Sequence, residues 1–147
     1  MTQVMEKEKV EKIITDVISG MSEAYLATVD GDRPWVRYMM THHVKGTLKL
    51  QCSTSLRSRK VEHIKNNPNV HLTMGKTKDN PIPYIQYVAK AHVRTDNETR
   101  EAHWHDQLKE YFSGPQDPHY CVLEFEPEMI EVWGATADMK TPITWKK

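Results

Sequence analysis

A tight turn between two β-type segments most constrains the fold of this chain. The segment Ala24 to Val29 is followed by Asp30-Gly31-Asp32 and then by the apolar segment Trp35 to His43. An Asp-Gly pair between two such segments is a strong signal for a β-hairpin, because glycine tolerates the positive φ that a two-residue turn requires. The sequence therefore predicts an antiparallel pair of strands near the start of the chain.

Further segments have the pattern of short strands. We predict them at Thr47 to Ser53, Val70 to Met74, Tyr84 to Arg94, Tyr120 to Phe125 and Met129 to Trp133, with the last two joined across Pro127. In the first of these, Leu48, Leu50 and Cys52 share one face, which is the period of a half-buried strand. Cys52 on that inward face is predicted to be a small buried hydrophobe and not a nucleophile.

Two helices are predicted in the first half of the chain. Apolar residues between Val10 and Ile18 recur at i, i+3, i+4, i+7 and i+8, which indicates an amphipathic helix over about residues 5–20 that ends near Gly20. The spacing of Val61 and Ile64 indicates a second helix from Ser58 to Asn66, which ends there because the residue before Pro68 avoids the helical region. The apolar face of the first helix must pack against the rest of the protein.

A third helix is predicted in the second half, where Thr95 and Glu98 are spaced as a capping box and Gly114-Pro115 marks the end. His103 and His105 lie two positions apart within this segment. Residues at that spacing on a helix face different directions, so the two histidines are not expected to ligate one ion. We predict no metal site in this chain.

The order of these elements predicts a mainly β (α+β) fold. About six short antiparallel strands, with one helix in front and two inserted, indicate a small barrel flanked by helices. The βαβ alternation is missing, and neither GxGxxG nor GxxxxGK[ST] occurs, which excludes a dinucleotide fold and a P-loop. At 147 residues the chain is predicted to be one domain, with the barrel at about residues 24–137 and a short C-terminal tail.

Charge and composition limit the partners and the compartment. Twenty basic and twenty acidic side chains cancel, so no overall field attracts nucleic acid or an anionic membrane. No apolar run approaches the roughly 20 residues that span a bilayer. Cys52 and Cys121 belong to no CxxC pair and are too few for a disulfide scaffold, which favours a reduced, cytoplasmic setting.

The segment Ser58-Arg59-Lys60 indicates a binding site for an anion. Two cations there lie at the predicted start of a helix, where the backbone already carries partial positive charge and unpaired N–H groups. An Arg fork, a Lys point charge and a Ser hydroxyl at a helix start match a phosphate of charge near −2. The alternative is that Arg57, Arg59 and Lys60 form a solvated basic turn, which costs little at an exposed helix end.

The order of the motifs resembles a known family. A strand that begins Arg37-Tyr38-Met39-Met40 and a strand that ends Ser53-Thr54 are followed by Ser58-Arg59-Lys60-Val61 and by Asn67-Pro68. This order resembles the pyridoxamine-phosphate-oxidase-like FMN-binding split barrels, and within them the general stress protein branch. The resemblance extends from about Ala24 to Trp133. It implies a six-stranded antiparallel split barrel that forms a homodimer, with FMN bound in clefts between the subunits.

The resemblance also implies roles for individual residues. Residues of the second strand would line the flavin, two residues of the third strand would lie beneath the ribityl chain, and the helix start would hold the phosphate. The cofactor-binding residues implied are Arg37, Tyr38, Met39, Met40, Thr41, His42, Ser53, Thr54, Ser58, Arg59 and Lys60, together with Gln86 at the polar edge of the ring and Trp133 close to the flavin. Three of these have other interpretations. Arg37 could pair with a surface carboxylate, Gln86 could belong to the polar face of a strand, and Trp133 could be a core or interface aromatic.

One departure from the family bears on function. The true oxidases that make pyridoxal phosphate carry a late Arg-x-His segment, whereas Trp133 is followed here by Gly134 and then by Ala135-Thr136-Ala137-Asp138-Met139-Lys140. We therefore predict an FMN-dependent oxidoreductase of unknown substrate, reduced by a nicotinamide donor, and not a true pyridoxamine phosphate oxidase. The alternatives are a flavin store or redox sensor without turnover, and a haem-binding barrel with His42 or His119 as the axial ligand.

Overall fold

The structure, a computed structural model, describes residues 6–77, 79–135 and 141–147. This part of the chain contains seven strands and three α-helices. The helices are α1 (Lys7–Ile18), α2 (Arg59–Asn66) and α3 (Asn97–His103), and a 3-10 turn follows at Asp106–Glu110. The strands are β1 (Met21–Asp30), β2 (Arg33–His43), β3 (Leu50–Ser55), β4 (Asn69–Gly75), β5 (Tyr84–Arg94), β6 (Tyr120–Trp133) and β7 (Ile143–Lys146). None of the described helices has the length and apolar character to span a membrane.

Six of the strands close into an antiparallel barrel. The predicted hairpin is β1–β2, with Gly31 at φ 63° in its turn. Strand β1 also pairs with β4, β4 with β5, β5 with β6, β6 with β3 and β3 with β2, which closes the sheet. The predicted fold class, a six-stranded antiparallel barrel with flanking helices, is confirmed. Strand β7 adds to the free side of β6.

The barrel is split between β2 and β3. These strands pair at two positions, His42 with Gln51 and His43 with Leu50, whereas β1 and β2 pair along their whole length. Beyond His42 the two strands separate, and we call the gap between residues 33–41 of β2 and 52–55 of β3 the split. Because the sheet does not use the backbone groups of β2 that face this gap, they are available to another partner.

The core lies inside the barrel and beneath α1. Leu26, Leu50, Leu72 and Phe125 are fully buried, and α1 packs against β4, β5 and β7 with its predicted apolar face. The buried residues of that face are Val10, Ile14, Val17 and Ile18. Cys52 is also fully buried, and burial raises its pKa to about 12, as expected for a thiol that acts as a small hydrophobe.

The last third of the barrel differs from the prediction. The two strands predicted on either side of Pro127 form one continuous strand, β6. Pro127 lies where β6 changes its neighbour on one side from β3 to β7, and where the β5–β6 register shifts after Val88. At that position the missing proline N–H interrupts little of the ladder.

The third helix is shorter than predicted and has a different cap. Asp96, and not Thr95, is the N-cap, and its carboxylate accepts a hydrogen bond from Thr99 N at 3.0 Å. The helix ends at His103 because Trp104 adopts an extended conformation, with ψ 136°. The Trp104 ring packs edge-on against Tyr120 at 5.4 Å between ring centroids. The helix therefore ends at the point where the Trp104 ring packs against the barrel.

Candidate cofactor site

A group of polar side chains surrounds the start of α2, beside the split. Lys60 Nζ donates a hydrogen bond to Thr54 Oγ1 at 2.9 Å, and Thr54 Oγ1 donates to Ser58 Oγ at 3.2 Å. Ser58 is the N-cap residue of α2, but its side chain makes no capping hydrogen bond. The first N–H groups of α2 are therefore left for another acceptor.

Arg37 reaches the same region from β2. Its Nη1 donates to Leu26 O at 3.1 Å, to Thr28 Oγ1 at 2.8 Å and to Trp35 O at 3.3 Å. The Thr28 hydroxyl also lies 2.8 Å from Nδ1 of His63, so it connects β1, β2 and α2. Because all three bonds of Arg37 to the described residues use Nη1, none of those residues occupies the rest of the guanidinium, which can contact a ligand.

The positive charges of Arg37, Arg59 and Lys60, which we call the cationic cluster, have no acidic partner in the part of the chain that the structure describes. Burial lowers the pKa of Arg37, and the nearby Arg59 lowers it further. Burial is also the main cause that lowers the pKa of Lys60, and Arg37 adds to it. Among the described residues, no Asp or Glu forms an ion pair with any of the three. Unbalanced cations at a helix N-terminus are the electrostatic signature of an anion site.

Three residues of this region were not predicted from the sequence: Thr28, Trp35 and His63. The guanidinium of Arg59 lies 4.4 Å from the centre of the Trp35 ring, and the Trp35 and His63 rings are 6.0 Å apart. A signal for two of the three was present in the sequence. The hairpin register pairs Thr28 with Trp35 and Leu26 with Arg37, which places Trp35 and Arg37 on one face.

Two cavities run along β3 next to the cluster. One has a volume of about 360 Å³ and lies between β2, β3 and the 3-10 turn. The other, of about 520 Å³, continues along β3 toward Arg57 and His119. The two cavities share Ser53, Leu108 and Tyr111, so they form one groove, which we call the β3 groove.

Most of the predicted site residues lie at the cluster or in this groove. The cluster and its hydroxyl partners are Arg37, Thr54, Ser58, Arg59 and Lys60. The walls of the groove include Met39, Met40, His42 and Ser53. The structure thus brings together residues of β2, β3 and α2 that are up to 23 positions apart in the sequence, from Arg37 to Lys60.

Thr41 and Tyr38 lie apart from the groove. Thr41 is fully buried and its hydroxyl donates to Ser22 O at 3.1 Å, so its side chain is not offered to a ligand. Tyr38 is half-exposed on the outer face of the barrel, where its ring contacts Tyr25 edge-on at 6.1 Å. This outer face of β1 and β2 exposes five large apolar side chains, which we call the apolar face: Met21, Tyr25, Val36, Tyr38 and Met40.

Gln86 and Trp133 lie on β5 and β6. Gln86 Oε1 is 2.6 Å from Nε2 of His71, and the Trp133 ring stacks on Tyr84 at 6.4 Å between centroids. Within the described residues, no hydrogen bond or ring contact joins either of them to the cationic cluster or to the β3 groove. The structure of one chain therefore does not bring these two residues to the others.

The histidines differ from the sequence prediction. The argument against a shared ligand role for His103 and His105 assumed one continuous helix, and this assumption is wrong because α3 ends at His103. The two rings instead converge with His42 near the β3 groove. Burial, followed by the neighbouring His42 and His105, lowers the pKa of His103 to about 4. His119, the other predicted axial ligand for haem, lines the distal part of the groove.

A closed six-stranded barrel that is split between two strands, with a cluster of cations at a helix start beside the split, defines a protein of the split-barrel class. The chain belongs to the pyridoxamine 5'-phosphate oxidase-like family, whose model matches residues 6–147. The segment of the predicted departure from the true oxidases, residues 136–140, lies outside the described residues.

Its relatives include general stress proteins. The chain is 32% identical to General stress protein 26 of Bacillus subtilis (strain 168) over 141 residues, which is 95% of this chain and 98% of that protein. The crystal structure of General Stress Protein 26 from Bacillus anthracis str. Sterne superposes with a TM-score of 0.77 at 28% identity, covering 94% of this chain and 98% of that one. A related structure from Clostridium acetobutylicum, at 23% identity and a TM-score of 0.73, covers 97% and 96% of the two chains and shares the fold.

Proposed function

We propose that this protein is an FMN-binding flavoprotein of the oxidoreductase class, with the cofactor phosphate held by the cationic cluster. The observation that carries the proposal is the unbalanced charge of Arg37, Arg59 and Lys60 at the uncapped start of α2. A phosphate of charge near −2 satisfies these cations and the free helix N–H groups together. Membership of the pyridoxamine 5'-phosphate oxidase-like family supports the same assignment.

The split and the β3 groove suit the remainder of the cofactor. Met39 and Met40 supply apolar walls, and the hydroxyl of Ser53 lies between the two cavities. An isoalloxazine ring needs an apolar slot with a few donors and acceptors for its pyrimidine edge. The backbone groups of β2 that face the split can supply those donors and acceptors without any specific side chain.

When bound, FMN supplies hydride and single-electron transfer. The protein's own residues bind the phosphate, orient the ring along β2 and shield one side of it from water. We assign no side chain as a catalytic acid or base. The proposed reductant is a nicotinamide donor, and the proposed reaction does not include pyridoxamine phosphate as the substrate.

The proposal includes a homodimer with FMN at the subunit interface. The apolar face of β1 and β2 is a contiguous set of side chains that water solvates poorly, and a two-fold contact between copies would cover it. Among the described residues, Gln86 and Trp133 make no hydrogen bond or ring contact with the cationic cluster of their own chain. In the proposed dimer they belong to the cleft of the partner subunit, so that each cofactor contacts both chains.

A comparison of two flavins tests the phosphate assignment. Purified protein is expected to be yellow and to bind FMN at least about 100-fold more tightly than riboflavin, which lacks the phosphate. The double variant Arg59→Ala, Lys60→Ala should lose this preference, because the remaining contacts are common to both ligands. Lys65→Ala is the matched control, since Lys65 is an exposed cation in the last turn of the same helix. Equal affinity of the wild-type protein for FMN and riboflavin would refute the assignment.

A second measurement separates an oxidoreductase from a flavin store. Anaerobic addition of NADH or NADPH to the FMN-loaded protein should bleach the flavin absorbance, and addition of an electron acceptor should restore it. Protein that binds FMN tightly but is not reduced by either nucleotide would be a store or a sensor, which retains the binding proposal and removes the oxidoreductase assignment.

A further inference from the structure

Three histidine rings from two parts of the chain converge near the β3 groove. His42 is at the end of β2, His103 is the last residue of α3, and His105 precedes the 3-10 turn. The ring centroid of His42 is 4.7 Å from that of His103 and 5.1 Å from that of His105. One ring nitrogen of each histidine lies within 4.8 Å of the corresponding nitrogens of the other two. We call these three residues the histidine cluster.

One ring nitrogen of each histidine in the cluster is buried and has no hydrogen-bond partner among the described residues. Five buried side-chain polar atoms in the described residues have no hydrogen-bond partner, and three of them are His42 Nδ1, His103 Nε2 and His105 Nε2. Buried polar atoms are nearly always satisfied in folded proteins, so three unsatisfied atoms in one cluster require an explanation. Contacts between ring edges alone do not supply a partner for a nitrogen lone pair.

Hydrogen bonds behind the cluster set the proton position on His103. Its Nδ1 lies 3.3 Å from Gln51 Oε1, and the Gln51 amide is oriented because its Nε2 donates to Glu124 Oε2 at 2.8 Å. Since Gln51 Oε1 can only accept, His103 Nδ1 carries the proton and Nε2 presents a lone pair toward the cluster. In metal sites, the ring nitrogen of a ligating histidine that does not bind the ion usually donates a hydrogen bond to a carbonyl or carboxylate in this way.

We propose that His42, His103 and His105 form a binding site for one divalent first-row transition metal ion, with Zn²⁺ as the ion that the geometry fits best. Three neutral imidazoles are a donor set that suits zinc, copper, nickel and ferrous ions and does not suit magnesium or calcium. Three protein ligands also leave one coordination position of a tetrahedral ion open, which is the pattern of reactive rather than purely structural zinc sites.

The required adjustment is small. Nitrogens bound to one tetrahedral zinc ion at about 2.0–2.1 Å stand about 3.3 Å apart. The largest separation in the cluster is 4.8 Å, so the ligand nitrogens need to approach by at most about 1.5 Å, which rotation of the half-buried rings of His42 and His105 can supply. His42 and His105 also line the β3 groove, so an ion at this site is accessible from the groove.

The site is independent of the cationic cluster. None of the three histidines hydrogen-bonds to Arg37, Arg59 or Lys60, and His103 contacts Gln51 of β3 whereas Lys60 contacts Thr54. The proposed metal ligands and the proposed phosphate ligands are thus different residues, so Co²⁺ binding by the FMN-free protein and FMN binding by the metal-free protein are measured separately, and the two proposals fail separately.

Cobalt substitution tests the site directly. The full chain without an affinity tag is treated with a chelator, dialysed and titrated with Co²⁺, whose tetrahedral complexes absorb strongly in the visible range. We expect saturation at one Co²⁺ per chain, displacement by one Zn²⁺, and a rise of several degrees in Tm when Zn²⁺ is added, because the ion binds the folded state. FMN is removed beforehand, or the Arg59→Ala, Lys60→Ala variant is used, so that flavin absorbance does not interfere.

Matched variants identify the ligands. His105→Gln and His103→Gln should each weaken Co²⁺ binding by at least about 100-fold. Gln51→Leu, which removes the hydrogen-bond acceptor of His103 Nδ1, should weaken it by about 10- to 100-fold. His92→Gln is the control, because His92 is an exposed histidine on β5 outside the cluster. If His103→Gln fails to fold, His105→Gln still provides the test, because His105 is only half-buried. Wild-type protein that binds no Co²⁺ more tightly than His105→Gln, or a loss of equal size in His92→Gln, would overturn the proposal.

Discussion

The guanidinium of Arg59 lies 4.4 Å from the centre of the Trp35 indole ring, so the first residue of α2 is in contact with β2. A cation over an aromatic face is stabilised by about 0.5–2 kcal/mol, depending on its exposure. The contact fixes Arg59 beside the split, although the residue itself is exposed to solvent. Trp35 therefore orients a cation that we assign to the cofactor phosphate.

Replacing Trp35 should weaken FMN binding without abolishing it. In Trp35→Leu the guanidinium of Arg59 loses its aromatic partner and samples more rotamers, which we expect to raise the Kd for FMN about tenfold. Trp35→Phe keeps an aromatic face and should stay within about threefold of the wild-type protein. Flavin fluorescence titration measures both constants. An equal loss of FMN affinity in the two variants would show that an aromatic face at position 35 does not contribute, and would contradict the role given to the cation–π contact.

Replacing Lys60 should separate stability from binding. Lys60→Met removes a half-buried charge next to Arg37 and is expected to raise the free energy of unfolding of the FMN-free protein by up to about 1 kcal/mol. The same variant should lose most of its FMN affinity. Urea denaturation with and without FMN gives both quantities, and Lys65→Met is the matched control that should change neither. A Lys60→Met protein that is less stable and still binds FMN would contradict the assignment of this lysine.

A charge on the apolar face should dissociate the proposed dimer. Tyr38→Glu places a carboxylate among Tyr25 and its exposed neighbours, where an interface between copies would have to desolvate it. We expect a monomer by light scattering and weaker FMN binding, because each cofactor then loses the contacts from the partner subunit. Thr95→Glu adds the same charge at an exposed site before α3 and should leave the mass unchanged. A dimeric Tyr38→Glu protein would exclude this face as the interface.

Two tryptophans should respond in opposite ways. Trp145 on β7 belongs to the core, is 8% exposed and donates to Glu11 Oε1 at 3.0 Å, so Trp145→Ala should cost about 3–5 kcal/mol of stability. Its effect on the FMN affinity of the folded protein should be small. Trp133 is half-buried and stacks on Tyr84, so Trp133→Ala should cost about 1 kcal/mol or less and lower the FMN affinity instead. Thermal unfolding and flavin titration distinguish these patterns, and an FMN affinity unchanged by Trp133→Ala would remove Trp133 from the site.

The local elements of the fold were predictable because their signals are local. Strand β5 has the predicted ends, Tyr84 and Arg94, and α1 buries the predicted apolar stripe. The errors occurred where a tertiary contact overrides a local pattern. The helix predicted to run past His103 ends there as Trp104 packs on Tyr120, and Pro127 is tolerated within β6 because the neighbouring strand changes at that point.

The candidate site was predictable in part for the same reason. Ser58-Arg59-Lys60 carries its own signal, since the positive end of a helix and two cations are adjacent in the sequence. The contributions of Thr28 and Trp35 depend on the hairpin register, which sets the face of each side chain.

The sequence by itself determined the alternation of strands and turns, the apolar stripe of α1 and the positive charge at the start of α2, because each depends on residues close together in the chain. The tertiary structure alone decided which distant residues meet. His42 and His103 are 61 positions apart, and their convergence depends on how β2 is joined to β3 and on where α3 ends. No periodicity encodes that distance, because closing the barrel is a property of all six strands together.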